Sequence, residues 1–140
     1  MIRILIVDDE IKLAQAFKKQ LSKENMDVTT VSTGKEALTI LNKDDFDVVV
    51  LDIKLPDIDG IDLLTKIKHI EPIIEVIMLT GYASIDTALR SMKLGAYDYL
   101  TKPCKISELS SIIYKAYEKK IFKRKKYTPQ GTYSENKHPR

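Results

Sequence analysis

Phe46-Asp47-Val48-Val49-Val50-Leu51-Asp52-Ile53-Lys54-Leu55-Pro56-Asp57-Ile58-Asp59-Gly60 is the stretch that decides how this chain folds. Residues 48–51 are apolar without interruption, where a strand with one wet face would alternate, so they read as a strand buried on both faces. The run stops at a carboxylate, Asp52. Pro56 and Gly60 then break the chain before the next helical pattern, which leaves Asp52 on a loop at the strand's carboxyl end. Ligands of open α/β sheets bind along that edge, so Asp52 is the first candidate for chemistry.

Working outward, residues 2–7 are apolar and β-branched, end in Asp8-Asp9-Glu10, and read as a first buried strand. Val28-Thr29-Thr30-Val31 is a second; residues 74–79 are a fourth, stopped by Thr80-Gly81; residues 96–100 are a fifth, ending in Thr101-Lys102-Pro103. Helical spacing follows each strand: Ile11, Ala14, Phe17 and Leu21; then Ala37, Leu38 and Leu41; then Ile61, Leu64 and Ile67. Ile85, Ala88, Leu89 and Met92 mark a fourth helix, with Ser84 placed to cap it and Gly95 to stop it. The fifth runs from Ser107 as cap through Leu109, Ile112, Ile113 and Ala116 towards Phe122. Five strand–helix alternations give the fold class α/β: a parallel sheet, right-handed crossovers and helices over both faces.

The totals set the frame. A chain of 140 residues can bury one real core, and 44% hydrophobic with 31% charged residues describes a soluble globular protein. No apolar run is long enough to span a membrane, and residues 4–7, closed by acids, are too short for a signal peptide; the expected compartment is the cytoplasm. The single cysteine, Cys104, excludes an internal disulfide and a zinc site of its own, and reads as a small apolar filler. Net charge is +3, but six Lys/Arg and one acid lie beyond residue 122, leaving 17 basic and 19 acidic residues before it. The expected division is a folded domain over 1–122 and a basic, disordered tail or linker over 123–140. The Lys119, Lys120, Lys123, Arg124, Lys125, Lys126 cluster reads as a solvated helix end. No recognition unit follows it, so sequence-specific nucleic-acid binding is not expected. Ser32-Thr33-Gly34-Lys35 lacks the earlier glycine of a phosphate loop, since position 29 is threonine, and neither His69 nor His138 has metal-ligand spacing.

A parallel sheet brings all its carboxyl ends to one edge. Reading those ends gathers Asp8, Asp9, Asp52, Thr80 and Lys102: three carboxylates, a hydroxyl and an ammonium. Two carboxylates at contact repel by about 4 kcal/mol at an effective dielectric near 20. A hard divalent cation relieves that, and an oxygen-only set suits Mg²⁺, which takes carboxylates together with phosphate oxygens. An aspartyl carboxylate is a competent nucleophile towards phosphorus, with Lys102 and the Thr80 hydroxyl placed to meet phosphoryl oxygens. Taken singly, each acid fits a helix-capping role; it is their convergence with Lys102 that points to chemistry.

Asp8-Asp9 after strand one, Asp52 in Leu-Asp-Ile-Lys-Leu-Pro-Asp-Ile-Asp-Gly, Thr80 in Met-Leu-Thr-Gly-Tyr and Lys102-Pro103 after Tyr-Asp-Tyr-Leu resemble the receiver domain of bacterial two-component response regulators, over roughly residues 2–122. The resemblance implies a flavodoxin-like (βα)5 three-layer sandwich with sheet order 2-1-3-4-5. It implies that Asp52 accepts a phosphoryl group from a sensor histidine kinase or histidine phosphotransfer protein, a self-modification with no turnover of an external substrate. Asp9 and Asp52 would bind Mg²⁺ directly, with the Lys54 backbone carbonyl as a further ligand and Asp8 acting through water. The Lys102-Pro103 bond would be cis. Thr80 and Tyr99 match a switch pair that reshapes the face of helix four, strand five and helix five, through which a partner, an output domain or a second copy would read the state. Cys104 departs from the phenylalanine many relatives carry after the proline. A phosphate-independent interaction module on the same fold is the alternative.

Overall fold

The computed structural model describes residues 1–127; of the tail expected over 123–140, the part from 128 onward, including His138, lies outside the described residues. In chain order the elements are β1 (Ile2–Val7), α1 (Ile11–Ser22), β2 (Met26–Val31), α2 (Gly34–Lys43), β3 (Val48–Leu51), α3 (Gly60–Ile70), β4 (Glu75–Thr80), α4 (Ile85–Lys93), β5 (Asp98–Thr101) and α5 (Ile106–Tyr127). All strand pairs are parallel and the sheet order is β2-β1-β3-β4-β5. This is the flavodoxin-like order that the resemblance implies, with β3 at the centre.

Burial on both faces explains why β3 reads as one apolar run. Val48 and Val50 join the core beneath α1 and α5, with Phe17, Leu21, Leu109 and Ile113. Val49 and Leu51 face the other way, into the core beneath α2 and α3, with Leu41, Leu63, Leu64 and Ile67. Each such side chain removed from water contributes about 1.5–3 kcal/mol.

Helix α4 is different. Its apolar side chains Ile85, Leu89 and Met92 are 83%, 59% and 45% exposed, and the one buried residue of the helix is Ser91. The periodicity that revealed α4 therefore marks its solvent side; the helix approaches its neighbours through small residues. Ser84 caps it as expected, in a reciprocal capping box with Thr87. Gly95 follows its end at φ 101°, a left-handed conformation suited to glycine.

Two ends differ from the sequence reading. Helix α5 begins at Ile106, so Ser107 lies inside the first turn and not at its cap; the Lys105 carbonyl accepts from both Glu108 N and Leu109 N at 3.1 Å. The helix also continues past Phe122 to Tyr127. Ion pairs with the amino edge of the sheet hold it there: Lys120 Nζ lies 2.7 Å from Asp47 Oδ1, and Lys123 Nζ lies 2.9 Å from Glu75 Oε2. Lys120 is buried, so part of the basic cluster is a structural clamp and not a solvated face.

Candidate functional site

The carboxyl edge of the sheet assembles its side chains through backbone bonds between strand ends. Asp8 N donates to the Val31 carbonyl and Asp52 N to the Val7 carbonyl, both at 3.0 Å, while Lys102 N donates to the Thr80 carbonyl at 2.9 Å. The sheet's own ladder thus fixes where the three charged residues leave it. The Lys102-Pro103 peptide is cis.

From these positions the Lys102 ammonium reaches three carboxylates. Its Nζ is 2.7 Å from Asp8 Oδ2 and 2.9 Å from Asp52 Oδ2, and it also contacts Glu10 Oε2. Asp8 and Asp52 are 5% and 4% exposed, so their charges are largely out of water and need that partner. Burial raises the Asp8 carboxyl above its ordinary value, with Lys102 working against the shift. Burial alone would lower Lys102, but its bonds to Asp8, Glu10 and Asp52 win and raise it, keeping the ammonium charged.

Smaller bonds orient the acids. Asp8 Oδ1 accepts from Glu10 N at 2.8 Å, a tight turn that folds Glu10 back over the site. Asp52 Oδ1 accepts from Lys54 N at 3.3 Å. Gly60 is required where the chain returns beneath Asp52: a Cβ there would lie 2.1 Å from the Asp52 carbonyl oxygen. Gly60 N donates to the Ile53 carbonyl at 2.6 Å, closing the loop.

Asp8, Glu10 and Asp52 offer carboxylate oxygens within 4.8 Å of one another, a hard-oxygen set that fits a divalent cation such as Mg²⁺. Sequence reasoning did not single out Glu10 as a site acid, although its place two residues beyond Asp8 is what lets its N–H bond back and bring its carboxylate in. Asp9 is exposed and outside that compact trio, but it lines the same open cleft with Glu10, Asp52, Lys54, Gly81, Tyr82 and Lys102. Across the mouth, Lys54 Nζ lies over the Tyr82 ring, 4.5 Å from its centroid.

Thr80 is fully buried at the end of β4, its Oγ1 accepting from Tyr82 N at 3.0 Å. Tyr99 is engaged elsewhere, with its hydroxyl 2.6 Å from Thr87 Oγ1 and accepting from Ser84 N at 3.3 Å. The two residues hold opposite ends of the segment joining β4 to α4. Cys104 packs partly against the core, and burial pushes its thiol up to about 11, in keeping with a filler.

The family model described as "Response regulator receiver domain" matches residues 4–114. The chain belongs to the response regulator receiver family. Among curated relatives, the response regulator protein PilR of Pseudomonas aeruginosa is 36% identical over 111 residues, 79% of this chain and 25% of that protein. The regulatory protein LuxO of Vibrio cholerae is 32% identical over 114 residues, 81% of this chain and 25% of that protein. The receiver spans about a quarter of the length of these relatives. Among solved structures, a CheY-like receiver domain protein from Methanospirillum hungatei superposes with a TM-score of 0.85 at 33% identity, covering 88% of this chain and 98% of that one. The beryllofluoride-activated NtrC4 receiver domain dimer gives 0.82 at 36% identity, covering 86% and 99%. Receiver domains bind Mg²⁺ at an acidic pocket, and Asp8, Glu10 and Asp52 form a cluster here that could hold a metal ion.

Proposed function

We propose that this receiver accepts a phosphoryl group on Asp52 from a sensor histidine kinase or histidine phosphotransfer protein, and that the modification resets the α4-β5-α5 face for a partner. The observation that carries this reading is the Lys102 ammonium bonded at once to Asp8, Glu10 and Asp52, at the ends of strands. The Asp52 carboxylate attacks phosphorus while the donor's imidazole nitrogen leaves with the bonding pair. The Lys54 N–H and Lys102 hold the two carboxylate oxygens and fix the direction of attack. Asp8, Asp9, Asp52 and the Lys54 carbonyl would hold Mg²⁺, with Glu10 beside them. When bound there, the ion would supply charge neutralisation at the transferring group. Lys102 then pairs with a phosphoryl oxygen, and the Thr80 hydroxyl turns from the Tyr82 N–H to donate to another.

That movement pulls on the β4–α4 segment whose far end Tyr99 holds through Ser84 and Thr87. The exposed stripe Ile85, Leu89 and Met92 supports α4 as the surface a partner or a second copy reads. The chemistry is self-modification and hydrolysis of that modification, with no external substrate turned over. The proposed division is a receiver over 1–122 followed by a basic segment whose first residues, to Tyr127, continue α5, with no sequence-specific nucleic-acid binding by this chain. A cytoplasmic location belongs to the same proposal; no helix among the described residues is long and apolar enough to cross a membrane.

Transfer of labelled phosphate from a phosphorylated histidine kinase tests the reading. Label that moves to the chain only with Mg²⁺, and not to an Asp52→Asn variant, is the expected result. A folded chain that accepts none from any donor would favour the phosphate-independent interaction module.

A further inference from the structure

Asp57 has no part in the chemistry above, yet its side chain ties the loop after Asp52 to α2. Its Oδ1 accepts from Gly34 N and its Oδ2 from Lys35 N, both at 2.9 Å. These are N–H groups of the first turn of α2, which the helix cannot satisfy itself. The helix's own cap, Thr33, takes a different one, accepting from Glu36 N at 3.1 Å. Asp57 is exposed, and the two bonds hold its carboxyl below its ordinary value. Beside it, Ile58 lies so close over Gly34 that a Cβ there would come within 2.2 Å of Ile58 Cγ2. Side chain and backbone are therefore fitted to each other at this junction.

The two ends of the loop are pinned to each other, by Gly60 N on the Ile53 carbonyl and by the bridge between Lys54 and Asp59. Its outer part, residues 55–58, is tied to α2 through Asp57 and Ile58. Lys54 is the pivot between them, and its backbone does two things at the site: the N–H orients Asp52 Oδ1, and the carbonyl is an expected cation ligand. We infer that Asp57 is a positioning residue, which docks the acceptor loop onto the start of α2 and thereby holds the Lys54 backbone in place, its carbonyl for Mg²⁺ and its N–H for Asp52. The inference rests on the proposed Mg²⁺ site. Groups that orient metal ligands from outside the coordination shell typically change affinity by about 10–100-fold.

The test is a calorimetric MgCl₂ titration of the full chain and of Asp57→Ala, Asp57→Asn and Thr33→Ala, each with its thermal midpoint. Asp57→Ala is expected to bind Mg²⁺ about tenfold more weakly. Asp57→Asn, which keeps one acceptor oxygen, should fall between it and the unsubstituted chain. Thr33→Ala weakens α2 without touching the loop, so it should lower the midpoint while leaving Mg²⁺ affinity unchanged. Equal Mg²⁺ affinity in the unsubstituted chain and Asp57→Ala overturns the inference alone, as does an equal loss in Thr33→Ala. No Mg²⁺ binding by the unsubstituted chain contradicts the site reading and the inference with it.

Discussion

Lys102 Nζ stands 2.9 Å from Asp52 Oδ2 and, in the same position, 2.7 Å from Asp8 Oδ2. One ammonium thus does for the acidic edge what a divalent cation would do, and a cation held by Asp8 and Asp52 would share their oxygens with Lys102. Replacing Lys102 with methionine leaves the carboxylates facing one another, and should cost about 3–5 kcal/mol of stability in urea denaturation without divalent ions. Added MgCl₂ should restore more stability to Lys102→Met than to the unsubstituted chain, because the ion then replaces the missing charge. Equal Mg²⁺ gains in both proteins would show that Lys102 and the ion do not share ligands.

Gly60 passes beneath the Asp52 carbonyl with no room for a side chain. Gly60→Ala should destabilise the fold by about 3 kcal/mol, since the obstructing atoms are backbone and cannot swing aside. Gly81, where an added Cβ meets nothing within 4 Å, is the control. Its alanine variant should unfold near the urea midpoint of the unsubstituted chain.

Tyr99 reaches α4 through Thr87, which is also half of the capping box. Thr87→Val removes both contacts while keeping the shape, and should cost about 1 kcal/mol. It should also raise amide exchange at the start of α4. Unchanged exchange there would mean the Tyr99 contact does not hold that turn.

Lys68 supplies a pH dependence of known sign. Burial, helped by nearby Lys123, lowers its amine from 10.5 to about 8, while Nζ donates to the Pro72 and Ile74 carbonyls. Between those values the unfolded chain binds more protons than the folded one, so this group makes stability rise with pH from about 8 to 10.5. The side chain is partly solvated, so the effect is about 1 kcal/mol after screening. Urea denaturation of the unsubstituted chain and Lys68→Met across that range should show the first gaining on the second. Parallel curves would contradict the assignment.

Much of the fold was readable because strands buried on both faces appear as unbroken apolar runs, as at β3, and because parallel pairing then sends every strand's last residue to one edge. That is how Asp8, Asp52, Thr80 and Lys102 could be placed together from positions far apart in sequence. Helix α4 was legible as a helix but not in its orientation: Ile85, Leu89 and Met92 have the spacing of a core stripe and face solvent. Periodicity records which residues share a side, and only tertiary packing decides which side is covered. Glu10 and Asp57 were missed for a related reason. Both look like surface acids, and their partners, Lys102 and the first turn of α2, become neighbours only after folding. The extension of α5 to Tyr127 likewise depends on the distant acids Asp47 and Glu75.

The central claim is that Asp52 accepts phosphate with the help of a divalent cation. Intact mass after incubation with acetyl phosphate tests it most directly, for the unsubstituted chain with and without MgCl₂ and for Asp52→Asn with MgCl₂. The expected result is the gain of one phosphoryl group in the unsubstituted chain with MgCl₂ and in neither of the others. A gain of the same size in Asp52→Asn, or none in a folded chain supplied with both Mg²⁺ and donor, would contradict it.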